Sequence, residues 1–158
     1  MKIKEKPKVY NTTVQIKQQL RDIFNRPNTI NNQYISNDLP IVVTRRASGK
    51  TTGLVQFVGE RLLQLDDENQ NVAVIVPNES IGARFLREFE TFFPLLNPPY
   101  VASASDQSHL LKGLKVKEVY IEEVFAIPEC HLSDLCSQFP VIAGVGTIEQ
   151  PTTITIRV

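Results

Sequence analysis

Two short runs along the chain are apolar without interruption. Val72 to Val76 is continuous and rich in β-branched residues, and Val116 to Ile121 ends in a similar run. Continuous apolar runs of this length read as strands buried on both faces, as in parallel sheets. Ile41 to Val43, Tyr100 to Ala104 and Val141 to Val145 are shorter candidates, and Thr152 to Val158 alternates β-branched with other residues.

Between the strands the period changes to that of a helix. Leu54, Val58, Leu62 and Leu65 share a face over Lys50 to Leu65, and Ile81, Phe85, Phe89 and Phe93 share one over Ser80 to Phe93, with Arg84, Arg87 and Glu88 off that stripe. Phenylalanines at that spacing read as core rather than as a stacking platform. An incomplete stripe of Val14, Leu20, Ile23 and Phe24 predicts a helix capped by Thr12 or Thr13 and running to about Asn25. Shorter helices are predicted over Ser105 to Gly113 and near Pro128 to Ser137, and loops over Asn28 to Asp38 and Pro94 to Pro99. The alternation of strand and helix predicts an α/β fold, a three-layer sandwich around a mainly parallel central sheet. Ligands of such sheets bind at the carboxyl ends of the strands.

Composition narrows the class. The 158 residues suit one domain, expected over 12–158 after a charged, mobile arm over 1–11. Lys plus Arg and Asp plus Glu are 17 each, so no global basic field advertises nucleic acid. Cys130 and Cys136 are too few and wrongly spaced for a zinc site and read as reduced thiols. No stretch has the apolar length of a membrane span, and the N-terminus lacks a signal-peptide core. The expectation is a cytoplasmic protein, in the host cytoplasm if the chain is viral, with no membrane partner.

Chemistry gathers at three strand ends. After Ile41 to Val43 comes Thr44-Arg45-Arg46-Ala47-Ser48-Gly49-Lys50-Thr51-Thr52, a polar loop whose Gly-Lys-Thr opens the next helix. Strand, loop, Gly-Lys-Thr and helix is the layout of a phosphate-binding loop, in which backbone N–H groups and a helix N-terminus attract a polyphosphate. Residues Arg45 to Thr52 are therefore the candidate nucleotide contacts. Lys50 reaches the β- and γ-phosphates, and the Thr51 hydroxyl is a Mg²⁺ ligand. The usual leading glycine, four residues before the Gly-Lys pair, is here Thr44. Arg45 and Arg46 read either as charge stabilisers near a transferred phosphate or as solvated loop arginines.

The second strand end is Val119-Tyr120-Ile121-Glu122-Glu123, where one carboxylate can hold Mg²⁺ through its waters and the next can accept a proton from an attacking water. The third is Gly144-Val145-Gly146-Thr147. Its glycines would let backbone approach a ligand, and Thr147 would reach the γ-phosphate or the water; by itself the stretch reads better as a tight turn.

With these residues in place the chain resembles the ATPase domain of the large terminase subunit, the DNA-packaging motor of tailed phages and herpesviruses. It resembles more broadly the P-loop ATPases with a catalytic glutamate, superfamily 2 helicases included. The terminase loop lacks the leading glycine and reads like Arg-x-x-Gly-Lys-Thr, here Arg46 to Thr51. The resemblance covers roughly 12–150 and implies a RecA-like P-loop core that binds ATP and Mg²⁺. Lys50 and Thr51 would bind phosphate and metal, Glu122 would stand at the metal position and Glu123 would be the catalytic base. Arg46 would sense or stabilise the γ-phosphate. The family more often has Asp where Glu122 stands. Val74 to Asn78 resembles a motif coupling the nucleotide site to DNA, and Gly146-Thr147 a second coupling motif. Gln15, Gln18 and Gln19 are candidate adenine readers. The implied partner is nucleic acid, double-stranded DNA by the family, moved by a motor assembly that forms a ring or adds further subunits. A nucleotide-binding assembly module without turnover remains open as another class, and a small P-loop kinase as a more distant one.

Overall fold

The computed structural model describes residues 9–26, 39–65, 71–105 and 116–148. Strands and helices alternate through them. Helix α1 spans Thr13–Phe24, β1 Ile41–Arg45, α2 Lys50–Leu65, β2 Val72–Val76, α3 Glu79–Phe92, β3 Tyr100–Ser103 and β4 Glu118–Glu122. A 3₁₀ turn over Val124–Ala126 leads to α4, Glu129–Gln138, and then to β5, Val141–Ile148. The predicted helix over Ser105 to Gly113, the loop over Asn28 to Asp38, the final strand Thr152 to Val158 and the arm preceding Val9 lie outside the described residues.

The strands form one sheet in the order β1-β5-β4-β2-β3, and every neighbouring pair is parallel. This is the expected α/β architecture with a RecA-like core. One consequence of the order bears on the site. Strand β5 lies between β1 and β4, so the strand that leads into the loop and the strand that ends in the acids run about 10 Å apart, two strand spacings.

Alternation along each strand divides the core in two. Val72, Val74 and Val76 face the same side as Tyr120, Ala143 and Val145, where Ile16 and Leu20 of α1, Leu54, Val55, Phe57, Val58 and Leu62 of α2, and Phe85 and Phe89 of α3 cover them. Ala73, Ile75, Val119 and Ile121 face the other side with Val124, Ile127 and Leu135. Helices thus cover both faces of the sheet, and the uninterrupted apolar runs have their reason.

Caps and stripes refine the helix predictions. Thr12 caps α1 by accepting from the Gln15 N–H, and Asn78 caps α3 by accepting from the Ile81 N–H. The α1 stripe differs from expectation at one end: Leu20 is buried as predicted, but Val14 is exposed and Ile16 takes its place in the core. Ile16 and Leu20 sit four apart and pack over α2, where a Cβ on Gly53 would meet Ile16 at 2.9 Å.

Helix α2 packs across β5 and β2, with β4 between them, and side chains tie both of its ends to β4. Near its last turn Arg61 Nε donates to Glu118 Oε1 at 2.9 Å while its guanidinium stacks 3.9 Å over Phe24. The Tyr120 hydroxyl donates to the same Glu118 at 2.6 Å. Burial, and then that bond to Glu118, raise the Tyr120 pKa far above the usual phenol value of 10.0. The folded chain therefore keeps this phenol neutral where the unfolded chain ionises it. Its contribution is whole below pH 10 and declines above it, by up to about 1.4 kcal/mol per pH unit. Urea titrations from pH 9 to 11.5 should show the stability advantage of wild type over Tyr120→Phe shrinking as pH rises.

Candidate functional site

The other end of α2 holds the site. Strand β1 runs two residues further than predicted, to Arg45, so Arg45 belongs to the strand and the loop proper is Arg46 to Gly49. Thr44, at the place of the usual leading glycine, is buried, and its Oγ1 donates to the Gly146 carbonyl at 3.1 Å, tying β1 to β5. The turn is closed by two left-handed residues, Ala47 at φ 57° and Gly49 at φ 83°. Gly49 is also crowded: a Cβ there would sit 2.1 Å from the Thr13 hydroxyl. Only glycine meets both demands. From Lys50 onward α2 is helical, so its first N–H groups, which have no partner within the helix, are presented at the loop.

Lys50 and Thr51 are both nearly buried, and they meet Glu122, which is wholly buried. Lys50 Nζ pairs with Glu122 Oε1, and Thr51 Oγ1 donates to the same oxygen at 3.1 Å. Lys50 Nζ also lies 3.7 Å from Glu123 Oε2. Two adjacent residues of a strand ordinarily point to opposite faces. Glu123 escapes this because its backbone is left-handed, at φ 57° and ψ 56°, which turns its carboxylate back to the side of Glu122. The Thr147 N–H then donates to Glu123 Oε1 at 3.2 Å.

Gly144 to Thr147 is not a turn after β5 but part of it, paired with β1 through Thr44↔Thr147. The glycine at 146 serves packing: a Cβ there would meet the Phe125 ring at 2.5 Å. The strand bears Thr147 to the cleft as a backbone donor to Glu123, beside the aromatic ring.

Around this cluster opens a cleft of about 610 Å³. Every loop residue from Arg45 to Thr52 lines it, with Glu123 and Thr147. Glu122 lies behind Lys50 and Thr51. Sequence reading missed four lining residues: Phe125 and Ala126 in the 3₁₀ turn after β4, and the charged pair Arg84 and Glu88 of α3. Arg84 Nη2 donates to Thr51 Oγ1 at 3.1 Å, and the Thr52 hydroxyl bonds to Glu88. Their only sequence signal was a place off the apolar stripe, four residues apart. The glutamines stay out of the cleft: Gln15 accepts from the Asn11 N–H, and Gln18 donates to Asp22.

Two buried polar atoms in this region have no hydrogen-bond partner, Ser48 Oγ and Glu122 Oε2. A buried oxygen without a partner costs about 1–3 kcal/mol unless something satisfies it. One atom is in the loop and the other beside the Lys50 and Thr51 head groups. The donor set of one hydroxyl and one carboxylate oxygen suits a hard cation such as Mg²⁺, which takes most of its ligands from phosphate and water. Among the described residues no group of three or more His, Cys, Asp and Glu gathers as an all-protein metal site. No described helix is long and apolar enough to cross a membrane.

No protein-family model matches the chain, and no curated protein matches it. Among solved structures it is similar to the C-terminal domain of a possible DNA helicase from Lactobacillus plantarum WCFS1. Identity is 21%, the match covers 90% of this chain and 91% of that one, and the TM-score is 0.42.

Proposed function

We propose that the chain is a Mg-ATP-binding domain that hydrolyses ATP, of the motor type found in terminase ATPases and helicases. One observation carries this reading. The first turn of α2 brings Lys50 and Thr51 onto the two acids that end β4, inside a cleft lined by the whole glycine-containing loop. Strand β5 stands between β1 and β4 and sets the span that a phosphate chain crosses from the loop to the acids.

Each residue then has a chemical task. The N–H groups of Ser48 to Thr52 and the Ser48 hydroxyl cradle the phosphates. Lys50 leaves its carboxylate partners and spans the β- and γ-phosphates as a point charge. Thr51 Oγ1 and Glu122, with its spare Oε2, hold Mg²⁺. When bound, the metal neutralises charge on the phosphate oxygens. Glu123, oriented by the Thr147 N–H, takes the proton of the attacking water as its oxygen bonds to the γ-phosphorus. The bond from that phosphorus to the β–γ bridging oxygen breaks, and ADP leaves with that oxygen. Arg46, and Arg45 at the mouth, oppose charge on the leaving phosphates. Work on nucleic acid, double-stranded DNA in the terminase form of the reading, falls to an assembly of several such chains.

A second reading, nucleotide binding without turnover, is favoured by one feature. Lys50 engages both acids here, and Glu123 is already bonded to Thr147. Equilibrium Mg-ATP binding measured beside steady-state phosphate release, with and without DNA, separates the two. The motor reading expects binding and release, faster with DNA. Binding with no release in any condition would sink it for the isolated chain.

A further inference from the structure

A cation from outside the loop motif stands at the Thr51 hydroxyl. Arg84 extends from the polar side of α3, a helix whose backbone is fixed by buried Phe85 and Phe89 and by Gly82 against Val76 and Val101. Its bonded partner, Thr51 Oγ1, is a neutral hydroxyl and not a carboxylate. A hydroxyl has one proton and two lone pairs. The Thr51 proton goes to Glu122 Oε1, and the lone pairs face Arg84 at 3.1 Å and Lys50 at 3.5 Å. A divalent cation taking that oxygen would confront the guanidinium at contact distance, and like charges in a partly buried site repel strongly. Arg84 has to let go.

Strand order says where it goes. The loop after β1 wraps one end of the phosphate chain, and β5 separates it from β4. Helix α3 follows β2, the strand on the far side of β4. Arg84 therefore borders the end of the cleft that lies toward the acids, where the last phosphate of a triphosphate would lie. A guanidinium recognises a phosphate through paired N–H groups, which a hydroxyl cannot match.

We propose that Arg84 is a nucleotide-gated ligand of the terminal phosphate: it holds the Thr51 hydroxyl in the free chain and transfers its guanidinium to the γ-phosphate when Mg-ATP seats. This rests on the Mg-ATP reading of the same cleft. It also makes α3 an element that registers the difference between triphosphate and diphosphate.

The test is equilibrium binding of Mg-ATP and Mg-ADP to wild type, Arg84→Ala and Arg84→Gln, with circular dichroism to confirm folding. Arg84 is exposed at the surface of α3, so both variants are expected to fold. Arg84→Ala should weaken Mg-ATP about tenfold, one charge-assisted contact, and Mg-ADP less than twofold. Arg84→Gln retains an N–H for Thr51 but no charge, and should be as weak toward Mg-ATP as Arg84→Ala. Three results would overturn the proposal while wild type still binds: unchanged or tighter Mg-ATP binding by Arg84→Ala, equal losses for ATP and ADP, or full recovery in Arg84→Gln. Wild type that binds neither nucleotide overturns the Mg-ATP reading itself, and this proposal with it.

Discussion

Lys50→Ala is expected to weaken Mg-ATP binding by about a hundredfold or more, equivalent to about 2.7 kcal/mol, and to lower the stability of the free chain as well. The two losses have different origins. Binding falls because a buried cation placed to span two phosphates is gone. Stability falls because Glu122, wholly buried, loses the ammonium paired with its Oε1 while its Oε2 already lacks a partner. Removing one member of a buried ion pair typically costs about 3–5 kcal/mol. The remaining bond from Thr51 to Glu122 should hold the effect near the low end of that range.

Combining Lys50→Ala with Glu122→Gln separates them. A neutral amide no longer needs the ammonium, so much of the lost stability should return in urea denaturation, whereas Mg-ATP binding should stay lost. If the double variant regains binding along with stability, Lys50 acts as a structural counter-ion and the phosphate role fails.

The difference between those roles was not legible in the amino-acid order. What was legible came from periodicity. The run Val72 to Val76 cannot be exposed on either face, and it is not: all five residues are buried. The stripe Ile81, Phe85, Phe89 placed α3 within a residue of its observed ends, because three turns of a helix leave little freedom in which side faces a core. The Gly-Lys-Thr at the start of α2 and the paired acids ending β4 were also readable, since each lies at a junction between a strand and the next element.

Three features depended on tertiary context. Whether Gly144 to Thr147 forms a turn or a strand depends on neighbours, and β1 and β4 on either side keep it extended. Arg84 and Glu88 could be placed off the apolar face, but what that face meets follows from strand order, to which local pattern is blind. The same holds for Glu123: alternation would send it to the face opposite Glu122, and only a left-handed residue at the strand end reunites them. Glutamate seldom adopts that conformation, so no local preference announced it.

That left-handed residue makes Glu123 the position where conformation and chemistry can be tested together. Glu123→Gln is expected to bind Mg-ATP as wild type does and to lower phosphate release by about 10²–10⁴-fold, the range of a positioned general base. The amide oxygen can still accept from the Thr147 N–H, so the loss cannot be assigned to a displaced loop. Single-turnover measurements would show it in the chemical step; normal hydrolysis by Glu123→Gln would remove the base assignment. Backbone strain is read from a different pair. Glu123→Ala and Glu123→Gly both lose the carboxylate and its bond to Thr147, but alanine retains the left-handed penalty and glycine does not. The glycine variant should be the more stable by about 1 kcal/mol in urea denaturation, the reverse of the ordinary order of the two residues. A site that holds a glutamate in this conformation gives up that stability to keep both carboxylates on the side of Lys50, the arrangement that the proposed division between metal and water requires.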